Sequence, residues 1–371
     1  MSTGRLSALF VLAAVAVGPA AARNVPLGLD LYMPVPDDNP LTPEKIALGR
    51  RLFSDRVLSR DGTRSCASCH DPDRAFTDGR PVAIGVRGRR GTRNAPTLIN
   101  RGYGRAQFWD GRARSLEQQA VEPIANPKEL DLGLDEAIDR LARLRAYRDQ
   151  FEAAFGRPVN SDDLARALSS YVRSILAGDS PFDRYVNGDT GALSDEARRG
   201  LRLFRGRANC TACHVGPLLT DERFHNTGVA WRAPDQRPGS GQAGSGQASF
   251  QDLGRFLVTG TDADRGAFKT PTLREIARTA PYMHDGSLAR LDDVIEYYER
   301  GGNPNAFRDP ELRPLALSGD DRRALVAFLE SLSGMVSEGA TPRVENPRAF
   351  FTTRFGTGRT PRRSSRHLSM Y

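Results

Sequence analysis

Two five-residue stretches constrain this chain more than anything else in it: CASCH at 66–70 and CTACH at 210–214. Between them they hold all four cysteines of the 371 residues. An exported chain could pair four cysteines as disulfides, or gather them on one zinc as a four-thiolate site. Neither explains why a histidine follows each pair directly. C-x-x-C-H is the attachment pattern of c-type haem: two sulfurs bond the porphyrin edge and the adjacent imidazole takes the iron as proximal ligand. The spacing therefore predicts two covalently bound haems, one on Cys66, Cys69 and His70 and one on Cys210, Cys213 and His214.

Export agrees with that chemistry. Arg5 precedes an apolar run from Leu6 to Val17, and Ala20, Ala21 and Ala22 form a small-residue cleavage site. This reads as a signal peptide over residues 1–22, and the run is shorter than the roughly 20 residues a membrane span needs. No later segment is long and apolar enough to serve as a transmembrane anchor. The net charge of +8 suggests nucleic acid only until it is located. Seven arginines against Glu345 lie beyond Thr341, and the body of the mature chain is close to neutral. A basic end on a neutral body reads as a solvated, disordered tail, with docking to an acidic partner or a membrane surface as the functional alternative. Nucleic acid is not expected.

The chain also repeats itself. GRRLF (49–53) precedes the first motif and GLRLF (200–204) the second. NAPTLINRGYGRAQFWDGRARSL follows the first and KTPTLREIARTAPYMHDGSLARL the second; Pro96 to Trp109 and Pro271 to His284 are both 13 residues apart. Trp109 and His284 thus hold equivalent places, each followed by Asp-Gly. Periods of this kind point to a duplicated unit. We expect a mainly α chain of two tandem cytochrome c-like haem domains, 23–190 and 191–335, and a tail over 336–371. Thr42-Pro43 starts a helix. Ser161 caps another, with helical apolar spacing to about Ala177, and further helices begin near Ser115, Asp135, Ser194, Arg290 and Gly319. Residues 233–250, rich in Gly, Ser and Gln, read as an exposed flexible loop.

An iron with a proximal histidine has one more axial position, and whether it is filled separates electron transfer from oxygen chemistry. Between His70 and His214 there is no other histidine and no methionine. The first haem is therefore expected to stand open, with Lys128 and Met33 as the remote alternatives. The second unit offers Met283, His284, His225 and Met335, and the helix RLDDVIEYYERGG adds tyrosines. Leu291, Val294, Ile295 and Tyr298 share one helical face, so Tyr298 points inward, while Tyr297 is expected to be exposed. Tyr298 lies 14 residues past His284, the place held by Pro123 relative to Trp109.

The two haem motifs, FWDGRARSLEQQAVEPIANPKEL and TAPYMHDG together resemble the bacterial di-haem cytochrome c peroxidase family over about residues 41–334. That family includes MauG, the methylamine-utilisation enzyme that matures a tryptophan tryptophylquinone cofactor. The resemblance implies that His70 serves the peroxidatic haem and His214 the electron-transfer haem. It implies that Trp109 carries electrons between them, that Gln119, Pro123 and Glu129 form the distal pocket with Glu129 as acid/base, and that Tyr298 is the sixth ligand of the second haem. It also implies an interdomain calcium site from Asn94, Thr279 and the Pro281 carbonyl. Typical members carry a blocking His in the loop that reads GRPVAIGVRGRRGTRN here, and this loop has none, as in MauG. MauG has a Trp two residues before its second haem motif, where this chain has Ala208.

The expected activity is a periplasmic peroxidase that reduces H2O2 with electrons from a small c-type cytochrome or cupredoxin. A MauG-like oxidase acting on a protein substrate is the alternative, and a non-enzymatic di-haem carrier the third reading.

Overall fold

The computed structural model describes residues 25–29, 32–232 and 249–340. The expected signal peptide, residues 233–248 of the Gly/Ser/Gln-rich stretch, and the basic tail beyond Ala340 lie outside the described residues. The first half carries α1 (Pro43–Ser54), α2 (Leu116–Ala125), α3 (Leu134–Arg143), α4 (Arg145–Phe155), α5 (Ser161–Arg173), the short strand β1 (Leu176–Gly178) and α6 (Pro181–Val186). The second carries α7 (Asp195–Arg205), β2 (Phe224–His225), β3 (Trp231–Arg232), β4 (Ser249–Phe250), α8 (Phe256–Thr259), β5 (Phe268–Lys269), α9 (Leu291–Glu299), α10 (Gly319–Glu330) and β6 (Met335–Ser337).

Each half buries its own core. One cluster is built on Leu52, Phe53, Phe151, Leu168 and Tyr171, the other on Leu201, Phe204, Leu325, Phe328 and Leu332. The repeated Gly-Arg/Leu-Arg-Leu-Phe explains the shared geometry. A Cβ on Gly49 would sit 2.0 Å from the Ala167 carbonyl oxygen, and one on Gly200 would sit 1.8 Å from that of Ala324. Without those side chains α1 crosses α5, and α7 crosses α10, backbone against backbone. Four residues on, Phe53 meets Tyr171 edge-on at 5.1 Å, and Phe204 packs on Phe328 at 4.9 Å. Thr42 caps α1 and Ser194 caps α7, each hydroxyl accepting a backbone N–H in the first turn.

Two local expectations are corrected. The helix expected from Ser161 to Ala177 is capped by Asn160 and stops at Arg173. Leu176–Gly178 instead pairs antiparallel with Met335–Ser337, so the segment after α5 ties to the segment after α10. Helical periodicity cannot report this, because the pairing partner lies far along the chain. Ser249 and Phe250, placed in the flexible loop, pair with Trp231 and Arg232. No helix among the described residues is long and apolar enough to cross a membrane.

Candidate active site

Both haem motifs begin with a single tight turn, Cys66–Ser68 and Cys210–Ala212. Each turn places its histidine one residue past the second cysteine, with the backbone N–H bonded to the first cysteine's carbonyl at 2.9 Å. The two rings are then fixed alike: His70 Nδ1 donates to the Phe76 carbonyl at 3.1 Å and His214 Nδ1 to the Leu219 carbonyl at 2.8 Å. That contact assigns the proton to Nδ1 and leaves Nε2 as a lone pair, the arrangement a metal-binding histidine needs. Burial favours the neutral ring in both, and brings His214 down to about 4. All four cysteines are free. Burial lifts Cys66 and Cys210 to about 12 and Cys69 to about 11, an environment that disfavours the thiolates a zinc site would need. The four sulfurs do not gather; the cluster with metal-ligand spacing among the described residues is Cys213, Asp221 and His225. The disulfide and zinc readings are thereby removed, and the donor set fits two c-type haems.

One continuous cavity of about 900 Å³ runs from His70 to His214. Its wall on the first side includes Gln119 and Pro123, one turn apart on α2, and Glu129 just beyond the helix. Burial raises the Glu129 carboxyl, while the Asn126 amide, donating to its Oε1 at 2.7 Å, works the other way. The loop without a histidine lies against this pocket: Val86 N–H donates to the Glu129 carbonyl, and a Cβ on Gly85 would collide with the Lys128 carbonyl at 2.2 Å. It presents Ala83, Gly91 and Thr92 to the cavity. Met33 is fully buried elsewhere, its sulfur packed against Gly102, and drops out as an iron ligand. Lys128 is exposed at the rim.

On the second side Leu291, Val294, Ile295 and Tyr298 of α9 all line the cavity. The Tyr298 hydroxyl bonds no protein group among the described residues, and burial together with Tyr297 and the nearby Cys213 and Cys210 sulfurs pushes its pKa up strongly. Tyr297, expected at the surface, is only 5% exposed. Its hydroxyl donates to the Thr227 carbonyl at 2.8 Å and accepts from Asn303 N–H. The 226–228 and 301–303 turns cover it, contacts outside the reach of a helical period. Met335 is 70% exposed on β6 and lies off the cavity. His225 is taken between Asp309, 2.5 Å from Nδ1, and Asp221, 3.0 Å from Nε2. His284 stacks on Phe268 at 3.7 Å and 13°.

The duplication is visible bond by bond where the halves meet. Asn94 N–H donates to the His284 carbonyl at 2.7 Å, and Lys269 N–H donates to the Trp109 carbonyl at 2.8 Å. Asn94 and Lys269 are equivalent in the repeat, as are Trp109 and His284. Phe108 and Met283 both adopt the left-handed backbone, at φ 66° and 73°, as do Asn100 and Glu275 at 60° and 61°. Such angles are costly for bulky side chains and persist where surroundings over-determine them. Trp109 Nε1 donates to the Asn94 carbonyl at 2.9 Å. Asn94, Thr279 and Pro281 all border the same cavity, and the Asn94 side-chain N–H donates to the Arg80 carbonyl, which leaves its Oδ1 as a spare acceptor.

Two charged groupings escaped the sequence reading. Arg93 pairs with Asp252 through two contacts of 2.7 and 2.9 Å and with Asp110 at 2.6 Å, joining the halves. Arg101, Glu222 and Lys269 form a second buried set. Their members are scattered along the chain, and only the fold gathers them. The signal that existed was the repeat register, which sets Lys269 opposite Asn94.

The comparisons with known proteins agree with this geometry. Residues 43–191 match the family model for di-haem cytochrome c peroxidase. The chain is 41% identical to the methylamine utilization protein MauG of Methylorubrum extorquens over 304 residues, 81% of each chain. It is 35% identical to the cytochrome c551 peroxidase of Pseudomonas aeruginosa over 326 residues, 85% of this chain and 87% of that one. A crystal structure of a MauG-like protein associated with microbial copper homeostasis superposes with a TM-score of 0.74 at 35% identity, covering 86% of this chain and 98% of the other. The diheme peroxidase BthA of Burkholderia thailandensis gives 0.66 at 26% identity, covering 80% and 87%. The chain belongs to the di-haem cytochrome c peroxidase family, the family of MauG, and is a di-haem oxidoreductase.

Proposed function

We propose that this protein is a periplasmic peroxidase that reduces hydrogen peroxide to water at its first haem site. Its electrons come from a small reduced c-type cytochrome or cupredoxin and enter through the second site. Cys66, Cys69 and His70 would hold one haem, and Cys210, Cys213 and His214, together with Tyr298, would hold the other. The haems supply a Lewis-acidic iron and one-electron redox chemistry; the chain supplies the rest. Glu129 would take a proton from one oxygen of peroxide and return it to the other, which leaves as water, while two donor electrons and two further protons carry the remaining oxygen to a second water. Its burial suits that exchange, since a carboxyl shifted upward regains its proton more readily than an exposed one. Pro123 and Gln119 shape the pocket and limit water. Trp109 couples the two sites in this reading, which is supported by its indole and carbonyl both being held at the junction. Calcium at Asn94 Oδ1, Thr279 and the Pro281 carbonyl would brace that junction. The observation that carries this reading is the pocket over His70, where the described lining from the first half holds the Glu129 carboxyl and no methionine or histidine besides His70.

Tyr298 favours a second reading, a MauG-like oxidase that directs the oxidising equivalents to a protein substrate. A phenolate ligand stabilises oxidised iron, which suits an oxidant better than an acceptor of electrons from an ordinary cytochrome. Against it stands Ala208, buried where MauG has a Trp. EPR of the ferric protein tests the shared core: one high-spin and one low-spin signal support it, and two low-spin signals overturn the open first site. Peroxide turnover with a reduced cytochrome c or cupredoxin then separates the readings. Sustained oxidation of the donor favours the peroxidase, and its absence the oxidase.

A further inference from the structure

Lys269 is 7% exposed, lines the cavity, and sits at the junction where its own backbone N–H holds the Trp109 carbonyl. A lysine ammonium has three N–H donors. One goes to the Thr270 carbonyl at 3.1 Å. The nearest carboxylate, Glu222 Oε1 at 3.5 Å, is already spent on Arg101 at 2.8 Å, and its other oxygen accepts from Arg105 N–H at 3.1 Å. Two cations therefore share one anion. The adjacent Asp221 helps only through space and makes no contact with the ammonium, its oxygen being engaged by His225. Burying an ammonium with so little compensation is unfavourable unless a further acceptor arrives. Burial and Arg101 already bring the Lys269 pKa down to about 8.

The position has a history within the chain. Its counterpart in the first half is Asn94, an uncharged amide. At this repeat position the duplication thus puts an ammonium on the second side and a neutral amide on the first. That side is the second one: Lys269 follows the second motif, pairs through β5 with the strand carrying His225, and weighs on the charge of His214.

We infer that Lys269, supported by Arg101, is the seat for a propionate carboxylate of the haem held by Cys210, Cys213 and His214. The inference rests on the two-haem reading above. Lys269 acts here as a positioning residue: its N–H donates to a carboxylate oxygen, with no covalent change. The pair offsets the negative charge that a Tyr298 phenolate adds to the same chamber, and it anchors the second haem edge beside Trp109.

The test uses the full-length, haem-loaded protein and its Lys269→Met and Lys269→Arg variants. Pyridine haemochrome counts the haems, and spectroelectrochemical titration gives the oxidised-to-reduced ratio of each at fixed potential. Loss of the ammonium in Lys269→Met should move the second haem about tenfold or more toward the oxidised form, 59 mV for a one-electron couple, with a smaller change at the first. Lys269→Arg should recover most of that shift, and the propionate bending band in resonance Raman should change in the Met variant alone. A fully loaded Met variant with an unmoved second haem overturns the proposal, as does an equal shift at both haems. If Lys269→Met loads poorly, Lys269→Gln against Lys269→Arg makes the same comparison and reads the same way. A wild-type count other than two haems would instead overturn the two-haem reading itself, so the two failures are distinct.

Discussion

At Glu129 two effects oppose each other. Burial disfavours the carboxylate, and the Asn126 amide favours it; burial wins and the pKa rises. If the carboxylate is the base that takes the peroxide proton, the rate with peroxide should climb as pH rises through this raised value. Glu129→Gln should flatten that limb and cut the rate about 10²–10⁴-fold, the usual worth of a positioned acid/base. Asn126→Leu should move the limb to higher pH, because it removes the donor that stabilises the charged form. Stopped-flow mixing with peroxide across pH reads both, and an unimpaired Glu129→Gln would remove the residue from the chemistry. The same scale shows what a sequence can and cannot carry. The helical period alone puts Leu291, Val294, Ile295 and Tyr298 on one face, and all four line the cavity. Tyr297 is buried against that period because its cover comes from turns about 70 residues upstream and a few downstream. A helical wheel counts neighbours along one helix, and Tyr297 is buried by others.

Among the helices, two opposing propensities meet at Gly49 and Gly200. In an isolated helix Gly→Ala gains up to about 1 kcal/mol. Here the added methyl would lie within 2.0 Å of a facing carbonyl in both crossings. Overpacking of that kind costs about 1–3 kcal/mol or more, so Gly200→Ala should be net destabilising, measured as a lower urea midpoint at unchanged slope. A stabilised variant would show that α7 and α10 can part without loss. The α2–α5 contact adds a pH dependence. Burial pushes Glu117 up, but the Arg173 guanidinium at 2.5 and 3.0 Å and the Asn39 amide hold it down to about 2. A folded-state pKa below the unfolded value gives stability that is complete above about pH 4.5 and lost as pH falls toward 2. Its size is about 3 kcal/mol by the usual conversion. Glu117→Gln should be less stable at neutral pH, and its unfolding free energy should vary less between pH 5 and 3. Parallel curves for the two proteins would show that the pairing carries no linkage.

For the molecule as a whole, duplication explains most of what could be read in advance. GRRLF and GLRLF, the two P-T-L segments and the 13-residue spacing to Trp109 and His284 were visible because copies keep their register. The junction between copies was not visible, because its members come from unrelated points in the chain. Arg93 shows this most clearly: it reaches Asp110 in its own half and Asp252 across the junction, all three largely buried. Each half has a separate core, and this bridge is a polar tie between them. Removing one partner of a buried ion pair costs about 3–5 kcal/mol, since the remaining charges lose their counter-ion. Arg93→Met leaves Asp252 without its guanidinium and leaves Asp110 with Arg112 alone. Followed by far-UV circular dichroism and by haem absorbance at both sites, the wild-type holoprotein should melt in one step. The Arg93→Met variant should melt earlier and in two steps, each half following its own core. A single transition at the wild-type temperature would mean that the cores themselves, through β1 and β6 and the Trp109 and His284 contacts, couple the halves without this charge.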